Sequence, residues 1–302
     1  MKVILAGGRG FIGSHLLRHF SSRRHEIVVL SRKPETLAGA ALSGVRAVGW
    51  DAVRVGPWAE ELANADVVIN LAGENIGRGL WTARKKRKIQ ESRKQATAAL
   101  VEALMKTPNP PKVLLNASAV GYYGPTGDEE LTEDSPPGHD FLAETCIMWE
   151  AEAEKAKQAG ARVVFVRIGL VLARDGGMFP LMALPFRLML GGRLGSGKQW
   201  MSWIHIDDLV SIFDFLIQQP DLGGPVNATA PNPVTNATFT RLLARALHRP
   251  AIFHVPAFAI RLLLREQADL LLRGQRVVPA RLLQHGFRFA YPTLEQALTQ
   301  LV

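Results

Sequence analysis

The sequence predicts a doubly wound α/β fold, a parallel sheet with helices on both faces, followed by a small C-terminal domain. Three observations carry that expectation. The chain opens with a short apolar run, Val3 to Ala6. Gly7, Gly10 and Gly13 follow it, with Phe11, Ile12, Leu16, Leu17 and Phe20 at helical spacing. Apolar runs and helical patterns then alternate as far as about residue 171, the pattern of successive βα units. Beyond that point the alternation breaks and glycines cluster at Gly176, Gly177, Gly191, Gly192, Gly195 and Gly197.

The opening turn is the most informative stretch. Strand, glycine turn, helix is the context in which a glycine pattern reads as a dinucleotide site. Gly7 and Gly10 let the backbone turn tightly and approach a pyrophosphate, and Gly13 lets helix and strand pack closely. The helix start, at Phe11 and Ile12, offers unpaired N–H groups and a positive dipole end to the phosphates.

The second strand, Glu26 to Leu30, ends at Ser31-Arg32-Lys33-Pro34. An acidic residue there would bond the adenosine ribose 2′-OH and favour NAD. A hydroxyl, a guanidinium and an ammonium suit a 2′-phosphate instead, so NADP(H) is the expected cofactor. The competing reading makes Arg32 and Lys33 plain surface charges. Val45 to Trp50 reads as a third strand, and Asp51 beyond it either touches adenine or opens the next turn. Asp66 to Gly73 is a fourth strand running into small residues. Leu71, Ala72 and Gly73 there allow close backbone approach at the carboxyl edge of the sheet, with Glu74, Asn75 and Ile76 toward the substrate.

A long helix spans about Thr82 to Met105, with Ile89, Ala96, Leu100 and Leu104 as its apolar stripe. Arg93 falls on that stripe, where a charge needs a partner, either a cofactor phosphate or a buried carboxylate. Lys88 lies off the stripe, either solvated or reaching the cofactor with its long stem. Val113 to Ala117 is the next strand, ending at Ser118. Tyr122 to Asp128 and Glu129 to Asp140 read as loops, Phe141 to Gln158 as a helix, and Arg162 to Ile168 as a strand that Gly169 to Val171 leaves. Later elements are a helix near Leu181–Leu190, a strand at Trp203–Ile206, a helix at Asp207–Gln218 and a strand at Val226–Thr229. Helices follow at Thr238–Leu247, Ala257–Leu272 and Leu294–Leu301. The expected division is a dinucleotide domain over 1–171, rejoined by 203–229, and a smaller substrate domain over 172–202 and 230–302.

Composition narrows the function classes. The chain has 302 residues, 47% hydrophobic, and can bury a large core. No apolar run reaches membrane-spanning length, so no membrane partner is expected. The N-terminus leads directly into a strand, so no signal peptide is expected. Cys146 is the single cysteine, which excludes an intrachain disulfide and suits a cytoplasmic setting. The net charge of +9 raises nucleic-acid binding. However, the densest basic run, Arg84-Lys-Lys-Arg-Lys88, lacks interleaved aromatics, so a solvated helix face is expected and no nucleic-acid partner. No metal-ligand spacing occurs.

Taken together, several motifs resemble the extended short-chain dehydrogenase/reductases. They are Gly7-x-x-Gly10-x-x-Gly13, Asn70-Leu-Ala-Gly73, Ser118 before Tyr123-Gly124, Arg167-Ile-Gly-Leu-Val and Trp203-Ile-His-Ile-Asp-Asp. A finer set is similar to the atypical YfcH-type, nucleoside-diphosphate-sugar epimerase-like branch. It comprises Asn70-Leu-Ala-Gly-Glu-Asn-Ile, Ser92-Arg93, Trp149-Glu150, Gly195-Ser-Gly197, Ala230-Pro231-x-Pro-Val-Thr-Asn236 and Gly274-Gln275-Arg276-Val. The resemblance spans essentially the whole chain. It implies a Rossmann-like sheet and NADP(H) held through Gly7–Gly13, Ser31, Arg32, Leu71, Ala72, Arg93 and main chain near Val171.

One departure bears on chemistry. Ordinary members of that family carry a Tyr-x-x-x-Lys pair for proton transfer, and alignment on Glu150 puts Leu142 and Cys146 there. Ser118 remains, either to polarise a carbonyl by a hydrogen bond or to bond backbone at a strand end. Tyr122 and Tyr123 are the candidate replacement acids, with packing as the competing role. His205 reads as a structural strand residue and Cys146 as an inert helix thiol. Gln199, Trp200 and Trp203 either line a substrate pocket or fill the core. The expected function is NADP(H)-dependent oxidoreductase or epimerase-like chemistry on a small molecule. The alternative is a non-catalytic NADPH-binding regulator. No motif specifies the substrate, the hydride direction or the oligomeric state.

Overall fold

The computed structural model describes residues 1–37 and 43–302. Seven parallel strands form the central sheet: β1 (Lys2–Ala6), β2 (Glu26–Ser31), β3 (Val45–Gly49), β4 (Val67–Asn70), β5 (Val113–Ala119), β6 (Arg162–Ile168) and β7 (Gly224–Ala228). Their order is β7-β6-β5-β4-β1-β2-β3. The chain moves outward from β1 to β3 and then returns to the other side of β1. The switch point therefore lies between β1 and β4, and in such sheets ligands sit in the crevice outside the carboxyl ends of those strands.

The strands are continuous apolar runs because both faces of the sheet are covered. Alternate side chains go to opposite faces. Val3, Leu5, Ile27, Val29, Val67 and Ile69 share one core with α1 (Phe11–Ser22). Ile4, Ala6, Val28, Leu30, Val68 and Leu114 share the other with α2 (Ala83–Lys106) and the end of α3 (Phe141–Glu154). The first core continues without a break into the C-terminal region. It takes in Phe179 and Phe186 of α4 (Phe179–Arg187), Leu209 and Phe213 of α5 (Ile206–Gln218), Phe239 and Leu242 of α6 (Asn236–Leu247), and Leu298 of the last helix. Beside the central sheet, Leu170–Ala173 pairs parallel with Trp203–His205 and antiparallel with Gly176–Gly177. β7 joins the main sheet at its edge beside β6.

Four of the differences from the sequence expectation are these. β5 runs on to Ala119, so Ser118 lies within the strand, in register with Arg167 of β6. The helix at Phe141 is α-helical only to Glu154, and a 3₁₀ turn covers Lys155–Ala159. The stretch expected as a loop before it contains a short strand, Glu130–Leu131, paired parallel with Arg276–Val277. The single helix expected over Ala257–Leu272 is broken. Its first part, α7 (Ala257–Leu264), ends before Arg265, which has a φ of +52°, and a 3₁₀ turn follows over Arg265–Ala268. Tertiary ties hold the break: Lys86 pairs with Glu266 at 2.7 Å, and the Gln267 amide donates to the Ile76 carbonyl at 3.3 Å.

Candidate functional site

β1 ends in a turn that only small residues can make. Gly7 has a φ of +84°, and a Cβ on it would lie 2.9 Å from the carbonyl group of Leu71. A Cβ on Gly13 would overlap the Gly7 oxygen and lie 2.7 Å from the Gly8 Cα. The two contacts draw β1, the end of β4 and the start of α1 into one cradle. The helix N-cap is Gly10, with no side-chain cap and no acidic residue in the first turn. The N–H groups of Phe11, Ile12 and Gly13 therefore find no acceptor among the described residues, leaving donors and a positive dipole end for an anion. The Phe11 ring lies over the Gly176–Gly177 strand, where a Cβ on Gly176 would come within 2.8 Å of its edge. Val171 is buried beside it, its carbonyl oxygen 3.2 Å from where a Gly177 Cβ would stand.

Next along the sheet, β2 ends at Ser31, which is buried, while Arg32 and Lys33 are exposed. The Ser31 hydroxyl accepts from the Lys33 N–H at 3.1 Å and keeps its own proton available. Asp51 forms a turn: its carboxylate accepts from the N–H groups of Val53 and Arg54 at 2.8 and 2.9 Å, which pulls its pKa below the usual range. At the end of β4, Asn70 is fully buried. It donates to Asn116 at 2.7 Å and to Thr97 at 2.9 Å, and it accepts from the Ala72 N–H at 3.1 Å. The Trp149 indole donates to the same Thr97 hydroxyl at 2.9 Å. These bonds set the course of Leu71-Ala72-Gly73 past the cradle.

Arg93 folds over that turn. It donates to the carbonyls of Glu74 and Ile89 at 3.0 and 3.1 Å, and its guanidinium lies 4.9 Å from the Trp149 ring centre. A Cβ on Gly73 would lie 3.1 Å from its side chain. Burial lowers the Arg93 pKa, against the pull of Cys146 and Glu74. No carboxylate pairs with it among the described residues; backbone carbonyls and the Trp149 ring are its partners in the structure. Lys88 is exposed and pairs with Glu74 at 3.1 Å, and Lys85 holds the other oxygen of that carboxylate at 2.7 Å. Part of the basic run at the start of α2 is thus neutralised locally.

The three candidate catalytic hydroxyls sit in or beside one buried polar network. The Ser118 hydroxyl is 3% exposed and donates to Glu150 at 2.6 Å. Glu150 in turn receives two bonds from Arg167, each 2.9 Å, in a pair whose side chains are 9% and 4% exposed. Burial opposes the Arg167 charge, but Glu150 more than compensates and raises its pKa. Tyr123 accepts from Arg167 at 2.9 Å and donates to Asn227 at 2.7 Å, and burial pushes its pKa up to about 12. Tyr122 lies flat on the Arg167 guanidinium, 3.4 Å from Cζ to ring centre. Its hydroxyl makes no hydrogen bond among the described residues. The Ser118 proton is therefore directed to a carboxylate, the Tyr123 hydroxyl is committed on both sides, and Tyr122 alone keeps a free hydroxyl. Sequence reasoning did not identify Glu150 and Arg167 as the centre of this network. The available signal was an arginine inside the apolar run of β6, a position that demands a buried partner.

Leu142 and Cys146 lie on α3 beside these groups. The thiol is 3.8 Å from the Ala119 carbonyl, and burial pushes its pKa up to about 11. His205 is buried, bonded to Gln300 at 3.0 Å and capping α5 through the Asp207 N–H. Trp203 is core and donates to the Asn232 carbonyl, while Trp200 is half-buried and donates to Asp128. The Gln199 amide bonds the carbonyls of Leu194 and Leu271. Among the described residues no cluster of His, Cys, Asp or Glu could hold a metal ion, and no helix is long and apolar enough to cross a membrane.

Comparison with known proteins agrees with the fold. The profile of the NAD dependent epimerase/dehydratase family matches residues 3–229, and a domain of unknown function matches 255–301. The epimerase family protein YfhF of Bacillus subtilis is 38% identical over 303 residues, covering 100% of this chain and 98% of its own. The crystal structure of human epimerase family protein SDR39U1 with NADPH superposes with a TM-score of 0.89 at 37% identity, covering 100% and 99% of the two chains. A nucleoside-diphosphate sugar epimerase from Corynebacterium glutamicum gives a TM-score of 0.80 at 36% identity, over 100% of this chain and 58% of that one.

Proposed function

The chain belongs to the NAD dependent epimerase/dehydratase family, and from that premise we propose that it binds NADPH across the carboxyl ends of β1, β2 and β4 and acts as an oxidoreductase or epimerase-like protein on a small molecule. The observation that carries the reading is the glycine cradle at Gly7–Gly13, with its unpartnered helix N–H groups. The NADPH bound by the human relative supports the same cofactor here. When bound, the dinucleotide supplies hydride chemistry. The chain's own residues do the rest. The first turn of α1 holds the pyrophosphate, Ser31 and Arg32 take the 2′-phosphate, and Arg93 faces the remaining negative charge. Leu71, Ala72, Gly73 and the main chain near Val171 line the path. Tyr122 is the proton donor this arrangement favours, because its hydroxyl is uncommitted. The single buried cysteine suits a reducing cytoplasm.

A second reading rests on a specific observation. Ser118, Tyr123 and Cys146 are all tied up or inert, which suits an NADPH-binding protein that does not turn over. Calorimetric titration tests the shared part. NADPH should bind about one to two decades tighter than NADH, the worth of roughly 1.5–3 kcal/mol in charge-assisted contacts. Arg32→Asp should reverse the order. Equal or tighter NADH binding to the wild type would overturn the cofactor assignment. Carbonyl-dependent NADPH oxidation that falls in Tyr122→Phe separates the enzyme from the regulator, whereas unchanged turnover in that variant would remove Tyr122 from the chemistry.

A further inference from the structure

The glycines between α4 and α6 shape a part of the molecule that the cofactor reading does not use. Gly192–Leu194 pairs parallel with Phe253–Val255. A Cβ on Gly192 would overlap the Phe253 carbonyl oxygen, so the two strands close here only because that side chain is missing. The register sets Arg193 beside His254, and such partners project from the same face of the ladder. The His254 ring is held by the Gly195 carbonyl at 2.8 Å. Two further bonds fix this ladder to the start of α6. The Leu194 N–H donates to the Asn236 side chain at 3.0 Å, and the Ala237 N–H to the Gly197 carbonyl at 2.8 Å.

Between the ladder and α6 lies a cavity of about 500 Å³, within the range of small-molecule sites. α6 supplies one wall through Ala237, Thr240, Arg241 and Ala244, spaced i, i+3, i+4 and i+7, while its Phe239, Leu242 and Leu243 are anchored in the core. Arg193 and His254 stand on the ladder side, and Ala251–Phe253 closes the wall between them and the end of α6. Two guanidinium groups thus line one cavity, and no carboxylate lines it among the described residues. Neither arginine has an ion-pair partner among those residues. Thr240 is only 7% exposed, yet its hydroxyl makes no hydrogen bond among the described residues. A hydroxyl enclosed to that degree is costly to leave unpaired.

From this we infer that the cavity binds a small phosphomonoester with a flat, apolar body. Its phosphate lies between Arg193 and Arg241 and accepts the Thr240 hydroxyl proton, and its body rests on Ala237, Ala244 and Ala251. A phosphomonoester brings about −1.5 to −2 charge at pH 7 and three acceptor oxygens, which matches two cations and a hydroxyl, whereas a carboxylate brings a single charge. The planar guanidinium fork suits phosphate oxygens. The three alanines leave room for an apolar body and give it a surface to bury. None of the lining residues belongs to the glycine cradle or to the network around Arg167, so this is a second site, independent of the cofactor reading.

The test is calorimetric titration of the whole protein, loaded with one equivalent of NADPH, with 1-naphthyl phosphate. The probe should bind one-to-one at micromolar concentration. Arg193→Gln and Arg241→Gln, both at exposed positions, should each weaken it roughly tenfold or more, and Thr240→Val several-fold. Arg245→Gln removes an exposed charge from α6 outside the cavity wall and should match the wild type. 1-Naphthol and inorganic phosphate, each half of the probe, should both bind roughly tenfold weaker or worse. Urea unfolding and NADPH titration of all four variants should also match the wild type. No probe binding by the wild type would overturn the inference, as would unchanged affinity in both cavity arginine variants. Equal weakening by Arg245→Gln would overturn it too, by assigning the attraction to diffuse positive charge. 1-Naphthoate binding as tightly as the phosphate would overturn the ligand class. Failed NADPH binding by the wild type would sink the cofactor reading and leave this one standing on the probe.

Discussion

Gly13→Ala separates cofactor binding from folding. Gly13 sits in the first turn of α1 in ordinary helical backbone, so alanine brings no conformational strain and gains about 1 kcal/mol of helix propensity. The added methyl, however, would overlap the Gly7 carbonyl oxygen and lie 2.7 Å from the Gly8 Cα. Both are backbone atoms and cannot rotate away, so the helix start must move off the turn. Overpacking of this kind costs about 1–3 kcal/mol, which the propensity gain partly offsets. Net stability should therefore fall by about 2 kcal/mol at most. The displaced turn misaims the N–H groups of Phe11 to Gly13, and loss of one charge-assisted bond to phosphate is worth about 1.5–3 kcal/mol. NADPH affinity should drop about 10- to 100-fold while the unbound protein still unfolds cooperatively. Calorimetric titration and urea unfolding of the same samples read the two quantities. Gly160→Ala is the control: its φ is +79° with open space around it, so it should lose stability without touching the cofactor. NADPH affinity within threefold of wild type in Gly13→Ala would refute the assignment of the cradle.

Further expectations follow from the groups around the cradle. Arg93→Ala should weaken NADPH at least about tenfold with the fold intact, since its bonds to Glu74 and Ile89 are local; unchanged titration would leave it a turn-packing residue only. Glu150→Gln should cost about 3–5 kcal/mol in urea unfolding, because the Arg167 charge stays buried without its carboxylate; a loss under about 1 kcal/mol would show that its bonds to Tyr123 and to the Glu133 carbonyl, which accepts from Arg167 at 3.3 Å, suffice. Burial lowers the His205 pKa below its ordinary 6.5, with Asp207 and Gln300 opposing. The stability from keeping this ring neutral is complete above pH 6.5 and is lost as the pH falls toward the depressed folded value, since the unfolded chain takes up the proton first. His205→Asn should flatten stability against pH in that window, and an unchanged slope would assign the effect to His19 and His25, both also lowered by burial.

Legibility in the sequence followed the range of the forces involved. β1, the glycine turn, β6 and the last helix were readable because local periodicity and backbone sterics decide them. The break at Arg265 was not, because the leucines on either side continue a helical pattern and only contacts with Lys86 and Ile76 interrupt it. The place of Arg93 could be read as a charge demanding a partner, while its position over Gly73 and Trp149 depends on how α2 meets α3. Ser118 shows the limit most clearly. A serine near a strand end looks available to a substrate, and nothing local indicates that Glu150, 32 residues on, takes its proton. The end of β2 at Ser31 was legible as the close of an apolar run, while the part that Arg32 and Lys33 play there stays an expectation that the NADPH titration addresses.

The position of Cys146 bears on whether a lysine could be accommodated there. The family resemblance places a lysine at this position, and in this chain the site is enclosed under the Ala119 carbonyl and close enough to Arg93 for the two to influence each other's ionisation. A lysine restored at 146 would bring a second cation into a space already holding one that lacks a carboxylate, and the two would repel. Reinstating tyrosine and lysine at 142 and 146 would thus fail until Arg93 was also replaced. The order of the changes therefore decides the outcome: with Arg93 neutralised first, a lysine at 146 would be the one cation of this space, whereas a lysine placed beside an intact Arg93 would be driven toward its neutral form.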